Sequence, residues 1–364
     1  MRNSSYGRID KRSLRTRIAS AVSAVFISVS VFHGCAMPFG KSIGQSNTAV
    51  RQFFAMDTMM RIELQGKDAE VAADAAQALI EKYDSLWSAL DEKSEISSIN
   101  ISAGSGAIKV TDETFQIIKE SLKQAEYTHG AFDPTVGLLL ELWGFRKEIN
   151  HIPSTEQLQI ALAGVSWKNV NVDDEDCSVQ LADPNTRLDL GGIAKGYATD
   201  RLKELLAQYE IDRALINLGG NICVIGEKED GSAYKVAITD PLDTNQFLGI
   251  VYAKDVAVIT SGGYERYLEV EGFRYSHIMN PFSGSPSETD LASVSIVSTH
   301  GAMGDALSTA LMVMGLDQAI SFWKNNPDFG VVMCTMSGEL YCSSNLRDVF
   351  IPENDKEVTY FESA

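Results

Sequence analysis

Paired cysteines, basic charge, histidine and long apolar runs are all scarce in this 364-residue chain. Five Cys are present and no Cys-x-x-Cys spacing, which argues against a zinc or dithiol redox centre. Cys223 and Cys334 sit in apolar, strand-like runs and read as buried inert thiols. The spacing of Cys334 and Cys342 is compatible with a disulfide across a hairpin, and the sequence does not decide it. Lys and Arg number 31 against 49 Asp and Glu, so the formal charge is −18. A deficit of positive charge excludes nucleic acid as a non-specific partner, because phosphate binding needs a basic face. It does not exclude a nucleotide held through a metal. With five His in the chain, the list of candidate general bases is short.

The longest informative apolar run is at the N-terminus. Arg2, Arg8, Lys11, Arg12, Arg15 and Arg17 precede an uncharged stretch from Ile18 to Phe32. Fifteen residues fall short of the roughly 20 that a spanning helix needs. A basic region followed by a short apolar one reads as a secretory signal over residues 1–34. Phe32-His33-Gly34-Cys35 resembles a lipoprotein box, in which Cys35 becomes the lipidated first residue. Residues 35–50 then form a Ser/Gly/Asn-rich tether. Removal of residues 1–34 deepens the charge to −23. The expected location is the cell envelope, on the periplasmic side of a membrane.

In the body, helical periodicity predicts helices over 68–87, 111–128, 193–208, 301–314 and 317–326, with a short one after Pro153. Ser154 and Gln157 have capping-box spacing. Strand-like runs fill the second half, at 214–218, 222–226, 234–239, 248–253, 256–260, 267–270, 273–278, 292–298 and 331–336, joined by short turns that favour antiparallel pairing. The segregation of helices and strands points to an α+β fold. The residues from 353 to 364 read as a loose acidic tail.

Four segments could carry chemistry. Leu188-Asp189-Leu190-Gly191-Gly192 leads into a helix bearing Lys195; glycines allow close approach of a ligand, and a helix start presents free N–H groups to phosphate. A Gly-Gly turn is also often only a turn. Asp305 and Thr309 are four apart, so a carboxylate and a hydroxyl share one helical face and could serve as hard oxygen donors for Mg²⁺. Equally, they could be a solvent-facing Asp and a Thr bonded to its own helix. His277 stands at a strand end before Asn280-Pro281, a position suited to a general base. Gly130-Ala131-Phe132-Asp133-Pro134 precedes Trp143-Gly144-Phe145, whose aromatic rings could meet a flat ring system or simply pack.

Taken together, these segments resemble the ApbE family in order and spacing. Met56-Asp57-Thr58, Ser94-Glu95-Ile96 through Asn100, Asn217-Leu218-Gly219-Gly220-Asn221 and Ser261-Gly262-Gly263-Tyr264 add to the likeness, which runs from about residue 53 to 350. The resemblance implies an ApbE-like domain over 51–352, built as two intimately packed α/β subdomains with largely antiparallel sheets and a flavin site between them. It implies an Mg²⁺-dependent transferase that moves FMN from FAD to a Ser or Thr hydroxyl of a target redox protein, releasing AMP. By the same resemblance, His277 and Asp305 are catalytic. Gly192, Asp305 and Thr309 hold Mg²⁺, and Met56, Leu90, Ala131, Phe132, Asp133, Asp189, Lys195 and Met279 contact FAD. Three positions depart from the pattern. Asp57 replaces Gly, Asn280 replaces Asp, and Leu90 falls about where many members place an aromatic ring near the adenine. The rival readings are an Mg²⁺-dependent FAD pyrophosphatase giving FMN and AMP, a non-catalytic flavin-binding lipoprotein, and a purely structural lipoprotein.

Overall fold

The computed structural model describes residues 47–145, 152–264, 266–270, 272–354 and 356–364. The signal segment, Cys35 and most of the expected tether lie outside the described residues.

The chain enters through a hairpin, β1 (Asn47–Ala55) and β2 (Thr58–Gly66), whose inward positions Ala49, Phe53, Met60, Ile62 and Leu64 alternate with exposed ones. Strand β1 therefore begins within the stretch expected to be tether. Helix α1 (Ala69–Trp87) lays Ala72, Ala73, Ala76, Ile80 and Tyr83 on this sheet. The short α2 (Glu95–Ile101) is capped by the Ser94 hydroxyl, which accepts from Ser97 N–H. After β3 (Ile108–Lys109), Thr111 caps α3 (Asp112–Tyr127). Then come α4 (Gly137–Leu142) and α5 (Thr155–Ala163), which starts in the predicted Ser154/Gln157 capping box. Strands β4 (Val170–Asp173) and β5 (Ser178–Leu181) lead to α6 (Ala194–Leu206).

The second half is strand-rich. It holds β6 (Ile211–Leu218), β7 (Asn221–Ile225), β8 (Tyr234–Thr239), β9 (Phe247–Ala253), β10 (Ala257–Gly262), β11 (Tyr267–Val270), β12 (Phe273–Ser276) and β13 (Leu291–Ser298). Helices α7 (Gly301–Met314) and α8 (Leu316–Asn325) follow, then β14 (Gly330–Thr335), β15 (Leu340–Ser343), β16 (Phe350–Pro352) and β17 (Val358–Phe361).

Nine strands form one sheet in the order β1-β2-β6-β7-β10-β13-β14-β15-β17. Every pairing in it is antiparallel except β15 with β17. Three smaller sheets, β16-β9-β8, β3-β5-β4 and β11-β12, flank it. The fold is α+β with largely antiparallel sheets. Residues 45–364 form one compact unit, in which a small cluster of Leu139, Trp143, Ala161 and Met279 stands beside the main core. Helix α7 is apolar almost all round because it is buried almost all round, against β10, β13 and α6.

Two expectations change. The acidic tail is not loose: β17 completes the sheet edge on β15. No disulfide forms at Cys334 and Cys342, since the register sets Cys334 opposite Leu340 and Cys342 opposite Val332. All four described cysteines are free thiols. Burial pushes Cys223 and Cys342 up to about 12 and Cys334 to about 11.

Candidate active site

Helices α6 and α7 cross where both carry glycine. A Cβ at Gly196 would lie 2.2 Å from the Gly301 carbonyl oxygen and 2.6 Å from Asp305 Cβ. That backbone contact lets buried Asp305 turn one oxygen, Oδ2, onto Gly196 N–H at 2.8 Å. Asp200 on α6 reciprocates: its carboxylate accepts from Gly301 N–H at 2.7 Å and Ala302 N–H at 2.9 Å, so it caps α7. One turn beyond Asp305, the Thr309 hydroxyl reaches Gly192. A Cβ at Gly192 would sit 3.3 Å from Thr309 Oγ1 and 3.2 Å from the Phe132 ring. A side chain there would press on both, and one of them would have to give by a few tenths of an ångström.

The loops converge through main-chain bonds. Asn100 on α2 exchanges two buried hydrogen bonds with Leu188: its Nδ2 donates to the carbonyl at 2.9 Å and its Oδ1 accepts from N–H at 2.6 Å. Asp189 N–H donates to Pro134 O at 2.7 Å, and Asp189 Oδ1 accepts from Gly191 N–H at 2.7 Å. Asp133 is nearly buried and fully occupied. Its Oδ1 accepts from Thr135 N–H and hydroxyl, and its Oδ2 from Trp167 N–H. Burial raises its carboxyl above the usual range, against those three donors. Asp133 thus staples the loop that presents Ala131 and Phe132.

His277 lies just beyond the end of β12. Both its backbone N–H (3.1 Å) and its Nδ1 (3.0 Å) meet the Arg266 carbonyl. A carbonyl only accepts, so Nδ1 carries the proton and Nε2 keeps its lone pair. Burial pushes the imidazole down to about 4. The bond to the Arg266 carbonyl opposes this; the charges of Arg266 and Lys195 add to it, and Asp189 resists. These influences place Lys195 and Asp189 within electrostatic range of the ring. Lys195 is half-buried and makes no ion pair among the described residues.

The remaining expected residues are placed as follows. Met56 and Asp57 form the two-residue turn of the β1–β2 hairpin, with φ of 48° and 59°. That left-handed pair explains why glycine suits position 57, and Asp is among the residues that tolerate it. Met56 N–H donates to Asp84 Oδ1 at 2.9 Å. Leu90 is 53% exposed, on the rim of a cavity of about 230 Å³ that Ser97, Asn100 and Arg187 also line. Met279 is buried in the small cluster with Leu139 and Trp143. At Asn280, Oδ1 accepts from Phe282 N–H and Ser283 N–H, a turn that Asn and Asp close equally well.

The structure therefore sets Gly192 beside Phe132 and Thr309, seats Asp305 on Gly196 one residue from Lys195, and leaves Asp189 and Lys195 near enough to His277 to influence its ring. Leu90 stands apart on its cavity rim, and Met279 packs in its own cluster. Sequence reasoning missed Asn100 as the anchor of Leu188, the Gly196–Gly301 crossing, and Ser261, whose hydroxyl meets Ser308 of α7 at 2.7 Å. Asn100 and Ser261 lay within motifs that carried the resemblance, without a sign of their partners; the Gly196–Gly301 crossing gave no periodic signal.

Among the described residues no group of three His, Cys, Asp or Glu side chains could hold a metal. The donor set at Asp305, Thr309 and the Gly192 carbonyl has one carboxylate and otherwise neutral oxygens. That set fits Mg²⁺, which takes few protein ligands when it shares a substrate's phosphates.

The ApbE family model matches residues 56–333. The chain is 32% identical over 298 residues to the FAD:protein FMN transferase of Klebsiella pneumoniae, covering 82% of this chain and 92% of that one. It is 30% identical over 335 residues to the FAD:protein FMN transferase of Escherichia coli, covering 90% and 94%. Among solved structures, the ApbE protein of Thermotoga maritima superposes with a TM-score of 0.77 at 34% identity, over 83% of this chain and 98% of that one. The flavin transferase ApbE of Vibrio cholerae gives 0.75 at 27% identity, over 84% and 99%.

Proposed function

The chain belongs to the ApbE family, and from that premise we infer that it is an FAD:protein FMN transferase, using Mg²⁺ to move FMN from FAD onto a Ser or Thr hydroxyl of a target flavoprotein with release of AMP. The observations that support this reading are a tautomer-fixed His277 whose ring feels the charges of Lys195 and Asp189, and, on the neighbouring helices, the packing of Gly192 against Thr309 and of Gly196 against Asp305. A purely structural lipoprotein has no use for such an arrangement.

The roles follow from chemistry. His277 Nε2 takes the proton of the acceptor hydroxyl, so that the oxygen attacks the phosphorus bearing FMN. Lys195 offers positive charge to the pyrophosphate in an otherwise acidic protein. Asp189 would accept from ligand N–H or O–H groups. Gly192, Asp305 and Thr309 would hold Mg²⁺, which when bound supplies charge neutralisation at the pyrophosphate. Phe132 walls the site beside Gly192.

Export with lipid attachment at Cys35 is part of the proposal and rests on the N-terminal sequence. Among the described residues, no helix is long and apolar enough to cross a membrane. The acceptor would be an envelope redox protein.

The test is incubation with FAD, Mg²⁺ and a candidate acceptor domain, read by intact mass of the acceptor. A gain of one FMN, lost in Asp305→Ala, supports the transferase and its metal site together. Free FMN and AMP with no gain, across several acceptors, would make the protein a pyrophosphatase. Intact FAD throughout would leave a flavin-binding module.

A further inference from the structure

The base described above depends on the carbonyl of Arg266, an exposed residue at the start of a small ribbon whose own packing comes from buried Leu268 and from Tyr275 against Trp143. Arg266 precedes β11, and β11 with β12 forms an isolated ribbon of four-residue strands. A lone two-stranded hairpin is marginal in water. Its carbonyl nevertheless receives two bonds from His277, at 3.0 and 3.1 Å. Arg266 itself is exposed and lies outside the paired strands, so the aim of its carbonyl depends on what its side chain holds.

The Arg266 side chain holds the turn at Asp57. Its Nη2 donates to the Asp57 carbonyl oxygen at 2.9 Å, and its Nη1 stands 3.9 Å from Asp57 Oδ2. The receiving turn is firm, since it closes the β1–β2 hairpin of the nine-stranded sheet and is bonded to α1 through Met56 N–H and Asp84. A planar guanidinium presents its donors to a carbonyl and a carboxylate in a fixed fork, whereas a lysine ammonium is a point charge on a flexible stem and holds the same pair less rigidly.

We propose that Arg266 is a positioning residue for the base: its guanidinium straps the β11–β12 ribbon to the Met56-Asp57 turn, and so aims the carbonyl that keeps the proton of His277 on Nδ1. This rests on the reading of His277 as general base. The bond to the Asp57 main chain is the principal anchor, and the Asp57 carboxylate is secondary.

The test uses the full-length chain in detergent, labelled with ¹⁵N-histidine, the His277 signals being assigned by their loss in His277→Ala. Wild-type protein should show the Nδ1–H tautomer, with an unprotonated Nε2. Arg266→Ala should give averaged shifts of two exchanging tautomers. Its kcat for FMN transfer should fall about tenfold, a part of the hundredfold or more that a general base contributes, with KM for FAD unchanged. Arg266→Lys should recover part of the loss, and Asp57→Gly, which keeps the carbonyl, should keep the Nδ1–H tautomer. The proposal is overturned if Arg266→Ala retains that tautomer and its kcat, or if Asp57→Gly scrambles the tautomer as fully as Arg266→Ala. If His277→Ala transfers FMN at the wild-type rate, the base reading falls. The tautomer measurement then decides the strap alone.

Discussion

Gly196→Ala is the most exacting perturbation, because two effects of opposite sign compete. In an exposed helix the change would stabilise by about 1 kcal/mol, since alanine is the better helix former. Here the new methyl would fall 2.2 Å from Gly301 O, 2.6 Å from Asp305 Cβ and 2.7 Å from Gly301 C. These distances are more than half an ångström short of ordinary van der Waals contact, and two of the three atoms are backbone. No side chain can rotate away, so α6 and α7 must separate. Overpacking of this kind costs about 3 kcal/mol, which outweighs the propensity gain and leaves a net loss of roughly 2 kcal/mol. For a chain of this size that is a fall in Tm of about 3 °C. The separation also pulls Gly196 N–H from Asp305 Oδ2, and a carboxylate misplaced by an ångström lowers transfer by about a hundredfold. Thermal unfolding by circular dichroism and the acceptor mass assay read the two effects separately. A variant with unchanged or higher Tm and full transfer would refute the packing argument and the placement of Asp305 with it.

Further outcomes are specific. His277 is active when neutral, and with its imidazole held down to about 4 the transfer rate should rise with pH through that value and be flat above pH 6; an acid limb near 6.5 would contradict the burial of the ring. The same depression means that its contribution to stability is complete above the ordinary histidine value and is lost as pH falls toward 4, which acid titration of Tm would register. Asn100→Ala strands both polar groups of buried Leu188, at a cost of about 2–4 kcal/mol in urea denaturation. In native protein beginning after Cys35, a maleimide should label Cys177 and spare Cys223, Cys334 and Cys342 until denaturant is added.

The parts of the fold that sequence revealed were those whose signal is local. The Thr111 cap, the Ser154/Gln157 box and the stripe of α7 set their helices within a residue or two. Strands β8 and β11 lie where their apolar runs put them. The β1–β2 hairpin was hidden because Met56-Asp57 is not the usual turn pair, and positive φ is a property of the folded backbone. Strand β17 was hidden by its acidic surroundings; only the exposed edge of β15 gives it a partner. In the site, each segment was legible as a short motif. Their joining was not, because Asn100 meets Leu188 across 88 residues and Arg266 meets Asp57 across 209.

The sheet order has a consequence for how the protein comes into being. Strand β1 occupies one edge and β17 the other, and β2 waits for β6 before it has its second neighbour. Phe132, Asp189, Gly192 and Lys195 emerge well before the helix bearing Asp305 and Thr309, and β14, β15 and β17 come later still. A growing chain thus carries these loops for a time without the helix of Asp305 and Thr309. The proposed centre is therefore complete only late in synthesis, and a chain interrupted before α7 should release no AMP from FAD.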